Sequence, residues 1–264
     1  MNSPETRQRP KRTLLFSAAL LLLTSCTTVA ETGFEPVAEA QSYDILIDNG
    51  LIVDGSGSAP YVGDVAIRND RIVAVSPEIT GSATRVIDAR GLAVAPGFIN
   101  MLSWAPDALI ADGAGESDIR QGITLEVFGE GWSEAPLTDK MVETLESEQG
   151  DIRYPISWRT LDQYFDFIEN RGIAPNVASF VGATTVRINE LDYADVDPDA
   201  AQLDRMRALV REAMDDGAMG VGSSLIYAPA SYAETPELVA LATESARCGG
   251  MYISHMRNES DHVL

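Results

Sequence analysis

From Gly91 onward the sequence repeats one pattern, an apolar run followed by a loop and an amphipathic helix, about every 40 residues. Few folds accept that rhythm. The apolar stretches 92–101, 123–128, 176–181, 218–222 and 251–255 are too short for buried helices and read as five buried strands. Helix punctuation lies between them. Thr160 and Gln163 form a capping-box pair ahead of an apolar stripe at Leu161, Tyr164, Phe165 and Ile168, with Gly172 as the stop. Asp197-Pro198 opens a helix whose face is Leu203, Met206, Val210 and Met214, ended by Gly217, and Thr235-Pro236 opens another that stops at Gly249. Strands joined by crossover helices pair in parallel and are covered on both faces. An open doubly wound sheet and a (β/α)8 barrel both satisfy this α/β pattern. The stretch from Leu92 on is roughly 170 residues, short of the ~250 of a complete barrel.

Ahead of this region the pattern differs. Residues 43–91 contain β-rich runs at 43–48, 51–53, 64–68 and 71–75, punctuated by Asn49-Gly50 and Asn69-Asp70. They predict a small N-terminal antiparallel β-domain, with residues 92–264 forming the α/β part. Further upstream, Arg7, Arg9, Lys11 and Arg12 precede the apolar run 14–23, about half the length that crosses a bilayer. Leu23-Thr24-Ser25-Cys26 resembles the lipobox of bacterial lipoproteins, in which the cysteine is lipidated. The expectation is a signal peptide over 1–25, lipid on Cys26, a flexible spacer over 26–42, and a protein held at the membrane of the cell envelope on its periplasmic face. Thr27, in place of an aspartate, favours the outer membrane.

The chain has two cysteines, so lipidation of Cys26 leaves no partner for Cys248, which reads as a small buried hydrophobe. Lys+Arg number 19 against Asp+Glu 40, a net charge of -21. No nucleic-acid partner is expected from such a surface.

Tyr43-Asp44-Ile45-Leu46-Ile47 with Asp54-Gly55, Asp64-Val65-Ala66-Ile67, Val86-Ile87-Asp88-Ala89-Arg90-Gly91 and Ala95-Pro96-Gly97-Phe98-Ile99 resemble the N-terminal half of the amidohydrolase superfamily. Gln121-Gly122-Ile123-Thr124, the segment Gly220-Val221-Gly222-Ser223-Ser224-Leu225-Ile226-Tyr227-Ala228-Pro229, and Ser254-His255-Met256-Arg257-Asn258-Glu259 are similar to the N-acyl-D-amino-acid deacylases (D-aminoacylases). The resemblance implies about five strands of a (β/α)8 TIM-like barrel, the N-terminal portion of a longer enzyme, with a metal site at the barrel mouth. It implies a zinc-dependent hydrolase of carbon–nitrogen bonds in N-acyl (D-)amino acids.

The sequence also departs from that superfamily. Where its members carry His-x-His after the first strand, this chain has Leu102-Ser103-Trp104, and neither Leu102 nor Trp104 can ligate a metal. Lys140, the only lysine after processing, lies in a helix after the second strand, so no bridging lysine is expected on the fourth. A site for one Zn2+ ion remains, with His255 after the fifth strand and Glu130 in the turn where the family has a cysteine. A third ligand and the aspartate general base are expected beyond residue 264, so this stretch by itself is expected to be inactive. Arg257 is open to two readings, a partner for a substrate carboxylate or for a structural acid such as Glu259. Ser224 and Tyr227 fall at the mouth and are expected to contact substrate. A non-catalytic ligand-binding lipoprotein on the same scaffold, and a cyclic amidase, are the alternative functions.

Overall fold

The computed structural model describes residues 41–261. The leader, Cys26 and His262 lie outside them. The described chain divides into two compact units, residues 41–49 with 63–90 and residues 50–62 with 91–261.

The first unit is a sheet of β1 (Ser42–Ile52), β2 (Tyr61–Arg68), β3 (Arg71–Ser76) and β4 (Ser82–Asp88) in the order β3-β2-β1-β4. β2 and β3 form the expected antiparallel hairpin, turning at Asn69 with φ 55. β4 instead pairs parallel to β1, from Ser42 opposite Ser82 to Asp48 opposite Asp88. The sheet is therefore mixed, which corrects the antiparallel expectation. A hairpin announces itself through local turn chemistry, whereas a parallel pair joins segments distant in sequence and leaves no such mark.

Asn49-Gly50 also turns out not to be a hairpin turn. β1 runs straight through it, with Asn49 at φ 60, and the Asn49 amide donates to Asp64 Oδ1 at 2.9 Å. Beyond that kink Leu51 and Ile52 pair in parallel with β5 (Ala93–Val94). Tyr43, Leu46 and Ala66 form the small core of the first unit.

The second unit carries the strand–helix alternation. β6 (Phe98–Asn100), β7 (Ile123–Phe128) and β8 (Asn176–Ser179) form one parallel sheet; β9 (Val181–Gly182), β10 (Gly220–Ser224) and β11 (Met251–His255) form another. Only Phe180 separates β8 from β9, so five strand positions follow one another in chain order. Helices α1 (Pro106–Ala111) and α2 (Glu116–Ile119) follow β6, and α3 (Asp139–Glu148) and α4 (Leu161–Arg171) follow β7. After β9 come α5 (Ala183–Leu191) and α6 (Ala200–Asp215), and α7 (Thr235–Arg247) joins β10 to β11.

The α4 capping box forms as expected, with the Thr160 side chain accepting from the Gln163 amide and Gln163 returning the bond. In α6 the cap is Asp199, paired with Gln202, two residues beyond Asp197, and the helix begins at Ala200. Met206 and Val210 are buried on its face, and Leu203 and Met214 are partly covered. Cys248, the residue capping α7, is exposed, which corrects its reading as a buried hydrophobe. Its place at the helix end, just before Gly249 at φ 77, puts it outside the stripe that α7 presents through Leu238 and Leu241.

Candidate metal and substrate site

β7 delivers its C-terminal end to the turn Gly129-Glu130-Gly131, and the shape of that turn is set by close backbone contact. Gly129 and Gly131 hold φ of 94 and 82, a region that side chains rarely enter. A Cβ on Gly131 would sit 1.9 Å from Ser224 Oγ, and one on Gly222 would sit 2.2 Å from the Gly129 carbonyl oxygen. The Thr184 amide donates to the Gly131 carbonyl at 3.0 Å, and Ser133 Oγ accepts from the Gly182 amide at 2.9 Å. The turn is thereby locked against the ends of β9 and β10. Glu130 stands at its crest.

β11 presents His255 from the opposite side, in register with Ser224 of β10. Its Nδ1 lies 3.5 Å from Glu130 Oε2, and both side chains are largely buried. Two ligands held about 2.0–2.2 Å from a tetrahedral zinc ion stand about 3.4 Å apart. The Glu130–His255 separation therefore fits one edge of such a site. On the other side of the ring, Nε2 lies 2.7 Å from Glu259 Oε1, yet the two are not aligned as a hydrogen bond, and Nε2 has no aligned partner. That spacing is too short for a second ligand edge. The Glu259 carboxylate thus stands beside the ring nitrogen that faces away from Glu130, on the side where a metal-binding histidine commonly has a carboxylate neighbour. Among the described residues no three metal-competent side chains converge. The described residues thus bring one imidazole and two carboxylates together.

A concavity of about 410 Å³ opens beside this pair, lined by Leu102, Trp104, Glu130, Trp132, Tyr227 and His255. The Tyr227 ring meets the imidazole edge-on, with centroids 5.4 Å apart at 65°. Leu102 and Trp104 give this hollow an apolar wall next to Glu130 and His255.

The remaining sequence candidates separate. Tyr227 lines the concavity. Ser224 is fully buried behind the Glu130 turn, with its hydroxyl unpartnered. Arg257 donates to the backbone carbonyls of Ser231, at 3.0 Å, and Ala233, so its guanidinium braces the loop after β10. It pairs with neither Glu259 nor the Glu130–His255 pair. Lys140, in α3, pairs with Asp192 at 2.8 Å. In the sequence Glu259 reads only as an acid for Arg257, and its place beside His255 is visible only in the structure. Its signal was the spacing of four residues from His255.

Comparison with known proteins gives the following. No family model matches the chain. It is 34% identical over 232 residues to an N-acyl-D-aspartate deacylase of Alcaligenes xylosoxydans xylosoxydans, covering 86% of this chain and 46% of that protein. It is 32% identical over 234 residues to a D-aminoacylase of the same organism, covering 86% and 47%. Among solved structures, N-acyl-D-glutamate deacylase from Bordetella bronchiseptica, complexed with zinc and a phosphonate mimic of the tetrahedral intermediate, superposes with a TM-score of 0.73. The identity there is 29%, over 84% of this chain and 47% of that one. The chain spans about half the length of the curated relatives it matches.

Proposed function

Because the chain belongs to the N-acyl-D-amino-acid deacylase family of amidohydrolases, we propose that the protein hydrolyses linear amides of N-acyl amino acids with the help of one zinc ion. The observation that carries this reading is the 3.5 Å approach of Glu130 Oε2 to His255 Nδ1 at the rim of an open concavity. In this reading the five parallel strands are consecutive strands of a (β/α)8 barrel, and residues 43–91 form a separate β-domain.

When bound, zinc supplies a Lewis acid for the amide carbonyl and a means of making water acidic near neutral pH. Glu130 and His255 would hold it. Glu259 would keep the imidazole in the tautomer that leaves Nδ1 free to donate its lone pair. Trp104, Trp132 and Tyr227 would shield the site from bulk water and pack against the acyl or side-chain carbons of the substrate. Tyr227 meets the imidazole edge-on, so it also limits how far the ring can turn.

The test is zinc content and turnover of the full-length protein purified without chelator, assayed against N-acetyl-D-amino acids, N-acetyl-L-amino acids and hydantoins. About one equivalent of zinc and hydrolysis of the linear amides are expected. Hydrolysis confined to hydantoins would make the protein a cyclic amidase. Zinc below about a tenth of an equivalent, with no activity on adding it, would favour a second reading, a ligand-binding protein on this scaffold. Leu102 and Trp104 at the wall are the observation on its side.

The location at the cell envelope rests on the leader and Cys26. Cys26→Ser is expected to move the protein from the membrane fraction to the soluble fraction. A variant that stays with membranes would remove the lipid anchor from the reading.

A further inference from the structure

The loop after β10 is fastened to β11 and the turn beyond it at two places. At its start the Leu225 amide donates to the His255 carbonyl at 3.2 Å. Further on lies a 3₁₀ turn over Ala230–Tyr232, and Arg257 donates to two carbonyls there, that of Ser231 from one guanidinium nitrogen at 3.0 Å and that of Ala233 from the other. Two donors on one planar guanidinium fix direction as well as distance, which a single ammonium cannot do. Glu259 stands only two residues away, yet the guanidinium is spent on this backbone.

Tyr227 lies between the two fastenings and is tied to both. Its amide donates to the Ser224 carbonyl at 3.1 Å, and its carbonyl accepts from the Ser231 amide at 2.9 Å. Ser231 therefore hands the restraint on, because its carbonyl is held by Arg257 while its amide holds Tyr227. The Tyr227 ring closes the circuit by meeting the His255 imidazole, with centroids 5.4 Å apart. Tyr227 is 53% exposed, so packing alone does not fix its ring and the backbone ties must. Arg257 is thus joined to the imidazole twice, along the chain and across the loop through Ser231 and Tyr227.

We propose that Arg257 is a positioning residue for His255: by clamping the loop after β10 it holds the Tyr227 ring against the imidazole, and so keeps Nδ1 turned toward Glu130. What the imidazole binds is taken from the zinc hydrolase reading; how it is held follows from these contacts alone. A restraint carried by a chain of contacts has a simple mark, which is that it vanishes when a middle link is removed. Without the Tyr227 ring, Arg257 has nothing to pass across the loop.

The test reads the imidazole in two ways on the full-length protein carrying isotope-labelled histidine. In the zinc-free protein the nuclear magnetic resonance signals of the His255 ring, assigned with His255→Ala, carry the ring-current displacement of the adjacent tyrosine, and Tyr227→Leu defines their position without it. Arg257→Ala is expected to move them at least about half of the way to that position. Arg257→Lys, which keeps one of the two donors, is expected to move them less, and it stays readable should Arg257→Ala fail to fold. Zinc titration is the second reading. Arg257→Ala and Tyr227→Leu are each expected to weaken zinc binding by about fivefold, within the range of one ring contact. The double variant is expected to lose less than about tenfold, where independent effects would multiply to about 25-fold. His255 signals that stay in place in both Arg257 variants would overturn the clamp, and so would a double variant whose loss is the product of the two single ones. Movement of the signals in a protein that takes up no zinc would instead sink the zinc hydrolase reading and leave the clamp standing.

Discussion

His255→Ala is expected to lower kcat/KM for N-acyl amino acids by at least about a thousandfold, which is about 4 kcal/mol of lost transition-state stabilisation. The size follows from what the imidazole does. It supplies a nitrogen donor to the proposed ion, it sits 3.5 Å from Glu130, and Glu259 lies close to its other ring nitrogen. The fold should survive the change. His255 closes the last described strand, its backbone bonds are those of the β10–β11 ladder, and its ring is partly exposed to the concavity. The measurement is steady-state kinetics beside a thermal melt. A drop in activity with an unchanged Tm places the loss in the chemistry, and activity within about tenfold of the unaltered protein would remove His255 from the catalytic site. Glu259→Gln, which keeps the shape and removes the charge behind the ring, should cost about 10- to 100-fold, the usual range for a group that orients a ligand.

Gly222→Ala is expected to destabilise the protein by about 3 kcal/mol and to weaken zinc binding as well. The added Cβ would lie 2.2 Å from the Gly129 carbonyl oxygen and 3.2 Å from Glu130 Cα. Neither atom belongs to a flexible side chain, so the strand or the turn must shift, at the cost of an overpacked core. The turn is also pinned from β9, where a Cβ on Gly182 would lie 2.2 Å from the Gly131 carbonyl oxygen. It has nowhere to retreat without moving Glu130 away from His255. Denaturant melts and zinc titration read the two effects separately. Gly150→Ala, with nothing within 4 Å of its added carbon, is the control and should leave both unchanged. Equal stability of the two variants would mean that the Glu130 turn is not locked by its neighbours.

How much of this was legible beforehand depends on whether the deciding interaction is local. The α4 capping box and the Asn69 turn are written within four residues of sequence, and both form. The five parallel strand positions were legible because strands buried on both faces leave apolar runs whatever they pack against. Helix α5 was not. It follows β9 with no polar loop and no side-chain cap, and it is buried on all sides, from Ala183 through Ile188, so it has no amphipathic period to read. The β1–β4 pairing was hidden for the reason given above, and Asn49, an excellent turn residue, is used here to free one amide for Asp64.

At the site, Glu130 and His255 follow from the resemblance, which implies zinc ligands after the second and fifth strands where these side chains stand, and the structure brings the two within 3.5 Å. What composition could not supply was direction. Arg257 has two readings in the sequence, and only the structure places its guanidinium on the carbonyls of Ser231 and Ala233.

The sharing of one cation by Glu130 and His255 is tested most directly by zinc titration of Glu130→Gln against the unaltered protein, with a competing chromophoric chelator. The expected result is an affinity at least about a hundredfold weaker in Glu130→Gln, with the His255→Ala/Glu130→Gln double variant little worse than either single change, because each removes a donor to the same ion. Glu130→Gln that binds zinc as tightly as the unaltered protein would mean that the carboxylate is only a neighbour of the imidazole.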